Sequence, residues 1–253
     1  MERQESIQKF VQRAESIGIH LSDLQIQQFL DYYNLLVEKN KVMNLTAITD
    51  FDEVIEKHFL DSLLPAKIYD FTQKKRVMDL GTGAGFPGIP LKIVFPQLEI
   101  VLADSLNKRV KFLDEVIEKL NLNQETNDKN QNFGRIETVH GRAENLGRMP
   151  EYREQFDVCV SRAVASLPVL AEYCLPFVKP GGYFIAYKSE QIEDELQKAR
   201  HAIKILNGKV KSCEKVELPG SDMVRSFVVI EKVGEIGKRY PRKAGTPSKN
   251  PLN

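Results

Sequence analysis

The residues of this sequence that could do chemistry begin with a glycine-rich segment that contains a carboxylate. Between a strand-like apolar run and a helix-like stretch lies Asp79-Leu80-Gly81-Thr82-Gly83-Ala84-Gly85-Phe86-Pro87-Gly88. Glycines let the backbone turn tightly and approach a ligand, and the free N–H groups at a helix start favour an anion. Asp104 follows the next apolar run, where a carboxylate can accept hydrogen bonds from ribose hydroxyls. This order predicts a site for an adenosine-containing ligand, although a glycine turn that only packs a helix on a strand has the same composition.

The identity of that ligand depends on Asp79. The spacing of Gly83, Gly85 and Gly88 also satisfies the dinucleotide pattern. A carboxylate two residues before Gly81 would repel a pyrophosphate, whereas it suits the ammonium group of S-adenosylmethionine. The chain has no Tyr-x-x-x-Lys pair of the dehydrogenase kind. A methyl donor is therefore favoured, and a nicotinamide enzyme or a nucleotide-sensing module remains the alternative.

Further polar residues follow the later strands of the predicted sheet. Arg142-Ala143-Glu144 follows the third strand and is expected to edge the adenine pocket, although Glu144 could simply begin a helix. Arg162 follows the fourth strand, nearest the transferred methyl group, where it could hold the donor's carboxylate or the acceptor's phosphate. Lys188 ends the fifth strand beside this point and is a second candidate catalytic residue. A surface salt bridge is the simpler interpretation for both cations.

Two absent motifs restrict the acceptor. No Asn/Asp-Pro-Pro-aromatic motif follows the fourth strand, so an exocyclic amine would have no obvious hydrogen-bonding clamp. No Pro-Cys nucleophile occurs, which disfavours covalent C5 methylation of a pyrimidine. A guanine N7 fits, because its lone pair carries no proton. We expect catalysis to rest on orientation and approach of the two reactants, without a general base.

The elements that must position these residues fall into three regions. Residues 1–70 show helical periodicity and capping signals at Ser22 and Asp50, which predicts an N-terminal helical extension. Residues 71–233 alternate strands and helices, as a doubly wound parallel sheet does. A short Pro-Gly turn after the fifth helix predicts an antiparallel last hairpin. The predicted parallel strands are Val77–Leu80, Ile100–Ala103, Ile136–Val139, Phe156–Val160 and Tyr183–Tyr187. The predicted helices are Gly88–Val94, Asn107–Leu120, Leu167–Val178 and Gln191–Leu206. The arms of the predicted hairpin are Lys209–Leu218 and Ser226–Glu231. Residues 123–134 are polar and predict a surface insertion.

The last region, 234–253, is basic. It holds 5 Lys/Arg against 1 Asp/Glu, whereas residues 1–70 hold 7 against 12 and residues 71–233 hold 24 against 22. Arg239, Arg242 and Lys243 are candidate phosphate contacts, and Tyr240 could stack on a base, as RNA binding requires. A solvated, disordered tail has the same composition. If the tail binds RNA, we expect its removal to leave donor affinity within about twofold and to lower the salt dependence of methylation.

The composition agrees with one large domain plus an attachment. The 253 residues have a net charge of +1, and 42% are hydrophobic, which excludes wholesale disorder. Three cysteines without a CxxC or Cys/His cluster predict no metal site and a reducing compartment. The N-terminus is charged and lacks an apolar signal core. We expect a soluble, cytoplasmic protein, most simply a monomer.

Together these motifs resemble the bacterial 16S rRNA guanine-N7 methyltransferases, the glucose-inhibited division protein B family. The match covers nearly the whole chain, and its combination of motifs is specific although each one alone is not. The resemblance is carried by Asn44–Ile48, His58–Ser62, Val77–Gly88, Gly141–Glu144, Ser161–Ala165 and Arg239–Arg242.

The resemblance implies a class I methyltransferase fold with an N-terminal helical extension. It also implies methyl transfer from S-adenosylmethionine to a guanine in the decoding-region loop of small-subunit rRNA. By motif, donor binding would fall to Gly81, Phe86, Ala143, Glu144 and Arg162, with Asp104 on the ribose. A small-molecule methyltransferase would share this donor site, but it needs a lid over a closed acceptor pocket, and the basic C-terminus argues against it.

Overall fold

A seven-stranded sheet forms the centre of the protein. The computed structural model describes residues 2–123 and 133–252. In these ranges the strand order is β3-β2-β1-β4-β5-β7-β6, and the strands are Arg76–Leu80 (β1), Glu99–Asp104 (β2), Ile136–His140 (β3), Phe156–Arg162 (β4), Val178–Ser189 (β5), Gly208–Glu217 (β6) and Val224–Lys232 (β7). The first five strands pair in parallel, whereas β7 pairs antiparallel with β5 and β6. The predicted mostly parallel sheet with an antiparallel last hairpin is confirmed.

Helices cover both faces of the sheet. The α-helices are Glu2–Glu15 (α1), Asp23–Met43 (α2), Phe51–Val54 (α3), Asp61–Leu63 (α4), Gly88–Val94 (α5), Asn107–Lys119 (α6), Ala143–Leu146 (α7), Leu167–Cys174 (α8), Glu193–Ile205 (α9) and Thr246–Lys249 (α10). A π-helical turn, Ile55–Leu60, joins α3 to α4, and a 3₁₀ turn, Leu64–Lys67, follows α4. Strands buried on both faces read as continuous apolar runs, which is why the sequence pattern located them.

The core consists of two hydrophobic clusters, one on each face of the sheet. Val77 and Leu102 belong to the cluster under the N-terminal helices, α5 and α6, whereas Met78 and Val101 belong to the one under α8 and α9. Successive strand residues point to opposite faces, so one strand feeds both clusters. Tyr240 of the C-terminal region belongs to the second cluster.

The N-terminal helices share their core with the sheet. The Tyr32 ring lies 5.5 Å from that of Phe59 and 5.4 Å from that of Phe86. The predicted caps are present: Ser22 and Gln25 form a capping box, and Asp50 accepts a hydrogen bond from the backbone N–H of Glu53. The region predicted as an extension thus packs directly on the glycine-rich segment.

Two neighbouring predicted boundaries are wrong. The helix expected over Leu167–Val178 ends at Cys174, and β5 begins at Val178, five residues before the predicted Tyr183. Pro176 restricts the preceding residue and cannot donate a helical hydrogen bond, so the helix stops before it. Of the insertion predicted over 123–134, residues 124–132 lie outside the described residues.

Two features are absent from the described residues. None of their helices combines the length and apolar character needed to cross a bilayer. In the same residues, no group of three or more His, Cys, Asp or Glu side chains is arranged to hold a metal ion.

Candidate functional site

The glycine-rich segment leaves β1 at the carboxyl edge of the sheet and shapes one side of a cleft. Gly83 has a φ of +64°, and a Cβ added there would meet only the carbonyl oxygen of Gly81, at 4.0 Å. Its outer face is therefore open to a ligand. Gly85 differs, because a Cβ there would lie 2.6 Å from both the Tyr32 hydroxyl and an Ile89 side-chain carbon. Gly85 thus permits the N-terminal helices to pack on the loop, rather than a ligand to approach it.

Asp79 lies beneath this loop and is fully buried. Its Oδ2 accepts hydrogen bonds from the Thr82 hydroxyl and the Gly88 backbone N–H, both at 2.7 Å. Among the described residues, its Oδ1 is the buried side-chain polar atom that has no hydrogen-bond partner. Burial raises the pKa of Asp79 to about 7, against the lowering effect of the two hydrogen bonds. The carboxylate is thus short of one donor, which an ammonium group would supply, although Asp79 does not itself line the cleft described below.

Asp104 ends β2 and faces the same loop. Its carboxylate accepts hydrogen bonds from the backbone N–H groups of Gly83 (3.0 Å) and Leu106 (2.8 Å) and contacts the Arg109 guanidinium at 3.4 Å. A carboxylate offers about four lone-pair positions, so these contacts leave capacity for a ribose hydroxyl. The Gly83–Asp104 contact joins the two predicted halves of the donor site.

The cleft continues along the start of α7. It is lined by Leu80, Gly81, Ala103, Asp104, Ser105, Gly141, Arg142, Ala143, Glu144, Val164, Tyr173, Gly245 and Ser248. Gly81, Asp104, Ala143 and Glu144 were predicted here from the sequence. Tyr173, Gly245 and Ser248 were not predicted, because nothing in their local sequence indicates that helix α8 and the C-terminal region reach this edge.

The C-terminal region packs on the body of the protein. The Arg242 guanidinium makes a bidentate pair with Glu172, whose side chain is 1% exposed. The backbone N–H of Gly245 donates to the Glu144 carboxylate at 2.7 Å. Arg153 donates to the carbonyls of Ile236 and Tyr240, both at 2.8 Å. The structure therefore contradicts the expectation that this region acts apart from the donor cleft.

The three predicted RNA contacts in this region differ in exposure. Arg242 is occupied by Glu172 and by the carbonyl of Asn250. Arg239 and Lys243 are exposed, and the Arg239 guanidinium lies 4.8 Å from the centre of the Tyr240 ring. Arg239 and Lys243 are thus the predicted cations that present charge to solvent.

Arg162 ends β4 and points toward the N-terminal helices. Its Nη1 donates to Asp61 Oδ2 at 2.6 Å and to the Lys57 carbonyl at 3.3 Å. Its guanidinium lies 5.0 Å from the centre of the Phe86 ring, and the His58 ring stacks on Phe86 at 4.6 Å. These contacts bring together Arg162 and Phe86, two of the residues predicted to bind the donor, and add residues that the sequence analysis left without a role.

His58 is held as a neutral ring. Its Nε2 lies 2.8 Å from the Thr46 hydroxyl, and its Nδ1 lies 3.2 Å from the Lys57 carbonyl. Burial, followed by the nearby Arg162 charge, lowers the pKa of His58 to about 4. Both ring nitrogens are therefore occupied by the protein.

Asp61 joins Arg162 to a second arginine. Its Oδ1 accepts a hydrogen bond from Arg225 Nε at 2.6 Å, and its side chain is 3% exposed. His58 lies in the π-helical turn, three residues before Asp61, so the two side chains lie on the same side of this segment and both face β4. The His58–Ser62 motif was the signal that could have identified these two residues. No signal in its own neighbourhood marks Arg225.

Lys188 lies beside this cluster. Its ammonium group donates to the carbonyl of Ala165 and to Glu195, both at 2.7 Å, and its side chain is 11% exposed. The first contact holds the loop that follows β4, and Glu195 of α9 also accepts a hydrogen bond from the Leu167 backbone N–H at the end of that loop. This geometry fits a residue that holds the loop in place.

The relatives of this chain agree on one family. A family model described as GidB, rRNA small subunit methyltransferase G, matches residues 25–224. A protein of Lachnoclostridium phytofermentans named ribosomal RNA small subunit methyltransferase G is 51% identical over 243 residues, which cover 96% of each chain. A protein of the same name from Thermoanaerobacter sp. is 46% identical over 250 residues, which cover 99% of this chain and all of that relative.

Among solved structures, a methyltransferase from Pyrococcus furiosus has a TM-score of 0.53 at 15% identity and covers 82% of this chain and 98% of its own. That similarity concerns the fold, which is the class I methyltransferase fold. The matched family model and the nearly full-length relatives settle the assignment. The chain belongs to the GidB family of small-subunit rRNA methyltransferases G.

Proposed function

We propose that this protein transfers a methyl group from S-adenosylmethionine to N7 of a guanine in the decoding-region loop of 16S rRNA. It would do so as a cytoplasmic monomer, with the small ribosomal subunit or an assembly intermediate as its partner and without a metal. The single observation that carries the proposal is the pairing of the Gly83 backbone N–H with Asp104 at 3.0 Å, beside a buried Asp79 that lacks one partner. This pairing supports a donor site that binds the adenosine of the donor near Asp104 and its ammonium group near Asp79.

The donor, when bound, supplies an electrophilic methyl group on a sulfonium sulfur. The residues that would hold it are Asp79 toward the ammonium group, Asp104 toward the ribose, and Ala143 with Glu144 toward the adenine. Gly83 leaves open space for its approach. Phe86, covered by His58 and Arg162, supports the loop from the side of the N-terminal helices.

The acceptor chemistry is supported by the state of the side chains around Arg162. Both nitrogens of His58, both oxygens of Asp61 and the Lys188 ammonium group are engaged by protein partners. None of these groups is free to take a proton from an acceptor. A guanine N7 needs no deprotonation, so it suits such a site, and catalysis would rest on positioning.

The RNA substrate is supported by the relatives' name and by the exposed cations Arg239 and Lys243 of the C-terminal region, which also contributes Gly245 and Ser248 to the cleft. Arg242, which the sequence analysis included among these contacts, would serve RNA binding by fixing that region through Glu172. Lys188 would act by holding the loop after β4. In these roles Arg242 and Lys188 would hold the C-terminal region and the loop after β4 in place beside the donor site.

The deciding experiment offers tritiated methyl donor with either small ribosomal subunits that lack the modification or a metabolite extract. We expect label in 16S rRNA, and mapping of the modified nucleotide should give 7-methylguanosine. Label in the extract alone would identify a small-molecule methyltransferase and contradict the proposal.

Donor identity has its own test. S-adenosylhomocysteine should raise the melting temperature of the protein, because a ligand of the native state stabilises it, and NAD should not. Gly83→Val should abolish the shift by filling the cleft. Gly181→Val is the matched control, because Gly181 also has a positive φ and open space around its Cβ position. A shift with NAD alone would refute the methyl-donor assignment.

A further inference from the structure

A second pocket lies beside the donor cleft, across the segment that follows β4. Arg162 and Ala163 line this pocket, of about 400 Å³, whereas Val164 lines the donor cleft. The pocket's charged lining residues are Lys57, Asp61, Arg162, Lys188 and Arg225. The N-terminal helices therefore supply one wall, and strands β4, β5 and β7 supply the other.

The charges of this pocket do not cancel. Lys57 is paired with Glu53, and Lys188 is paired with Glu195. Arg162 and Arg225, by contrast, share one carboxylate, that of Asp61. His58 is neutral and adds no charge. The two arginines thus carry one positive charge that no residue of the pocket neutralises.

Arg225 retains unused donors. Within the described part of the chain, its hydrogen bond to Asp61 comes from Nε. Its two Nη atoms remain for another acceptor, and its side chain is 27% exposed at the pocket. A guanidinium fork held from behind by a carboxylate is well suited to bind a phosphate.

The position of Arg225 separates it from the donor. It pairs with Ser189 at the end of β5, and β7 is three strands from β1 in the sheet. Adjacent strands lie about 4.8 Å apart, so the backbone of Arg225 lies on the order of 14 Å from that of β1. An anion bound by the Arg225 guanidinium would lie in the second pocket, whose lining shares no residue with that of the donor cleft.

We propose that Arg225 binds a phosphodiester group of the acceptor RNA next to the methylated nucleotide, and that Asp61 positions Arg225 and Arg162 for this contact. The inference rests on the proposed function and adds a phosphate subsite to it. The donor's carboxylate is the other anion that a guanidinium could bind here, and the experiment separates the two.

The test measures kcat/KM for methylation of small subunits at several KCl concentrations and fixed Mg²⁺, together with the affinity for S-adenosylhomocysteine. Arg225→Gln should lower kcat/KM about tenfold, as loss of a charged hydrogen bond does. It should also lower the log–log salt slope by about one, because one phosphate contact is lost. Its affinity for S-adenosylhomocysteine should equal that of the wild type. Arg225→Lys should restore the slope, since the charge is kept.

Two further variants make the result specific. Arg200→Gln removes an exposed arginine of α9 and should change neither quantity. Asp61→Asn should lower kcat/KM while the salt slope stays at the wild-type value, because both cations remain. That combination identifies a positioning residue rather than a phosphate ligand.

Three outcomes would overturn the inference. A fall in S-adenosylhomocysteine affinity in Arg225→Gln would assign Arg225 to the donor. Equal behaviour of Arg225→Gln and Arg200→Gln, in an active wild type, would remove the phosphate subsite and leave the proposed function intact. A wild type that labels no rRNA would refute the proposed function and the inference with it.

Discussion

The backbone N–H of Gly245 donates to the carboxylate of Glu144 at 2.7 Å, across 101 positions of the chain. This contact fastens the C-terminal region over one end of the donor cleft. The Arg242–Glu172 pair supports it from behind. The C-terminal region is therefore attached to the wall of the cleft that we propose as the donor site.

Truncation of the chain after Gly237 should weaken S-adenosylhomocysteine binding about tenfold, because the cleft loses Gly245 and Ser248. The melting temperature should also fall, since Glu172 would be buried without its partner. Titration calorimetry and thermal unfolding measure the two effects. A control chain that ends at Leu252 keeps the Gly245–Glu144 and Arg242–Glu172 contacts and the packing of Leu252, and it should match the wild type. Unchanged affinity in the shorter chain would show that the cleft does not depend on this region.

The double variant Arg239→Ala/Lys243→Ala removes exposed charge from the same region and leaves the Arg242–Glu172 and Gly245–Glu144 contacts in place. The salt slope of subunit methylation should fall by about 1.5, because two phosphate contacts are lost, while donor affinity stays at the wild-type value. Lys204→Ala/Lys209→Ala removes the same charge from exposed positions on α9 and β6 and is the matched control. Equal slopes for the two double variants would mean that the cations of the C-terminal region are only solvated.

Because of Asp79, the free energy of unfolding should decrease as the pH rises toward 7. Burial raises its pKa in the folded protein from 3.8 to about 7. Between these values the folded protein holds a proton that the unfolded chain has lost, so this group lowers the free energy of unfolding as pH rises toward 7. Asp79→Asn should gain stability relative to the wild type from about pH 5 to pH 8. Denaturant unfolding at several pH values measures this difference, and a constant difference would contradict it.

The same titration should appear in donor binding. An ammonium group beside Asp79 favours the charged carboxylate, so affinity for S-adenosylhomocysteine should rise with pH through about 7 in the wild type. Asp79→Asn should bind more weakly and without this rise. Calorimetry in buffers of different ionisation enthalpy would detect the proton that the wild type releases.

Arg162→Ala should slow single-turnover methyl transfer about a hundredfold through loss of positioning. Its pH–rate profile at saturating donor should stay flat across neutrality, as in the wild type, because no general base titrates there. Arg162→Lys should recover little, since a point charge does not reproduce the contacts that the fork makes with Asp61 and the Lys57 carbonyl. A basic limb in the wild-type profile would show that a base exists and would argue against N7 as the acceptor atom.

The sequence by itself determined the sheet and the position of the glycine loop and Asp104 at its carboxyl edge. Buried parallel strands are continuous apolar runs, and a glycine loop followed by Asp104 lies within a short stretch of chain, so local pattern was sufficient. The same reasoning placed the α8 boundary wrongly, because apolar residues continue past Cys174 while Pro176 ends the helix.

Only the tertiary structure decided which distant residues meet. Asp61 is separated from Arg162 by 101 positions and from Arg225 by 164, and no periodicity relates them. The C-terminal region has the composition of a solvated tail, yet Arg242 is held by a carboxylate that α8 buries. Local sequence specifies the helices and strands and their ends, whereas the pairing of charges across the fold depends on how those elements pack. The part of the cleft formed by the C-terminal region and the second pocket can therefore be seen only in the tertiary structure.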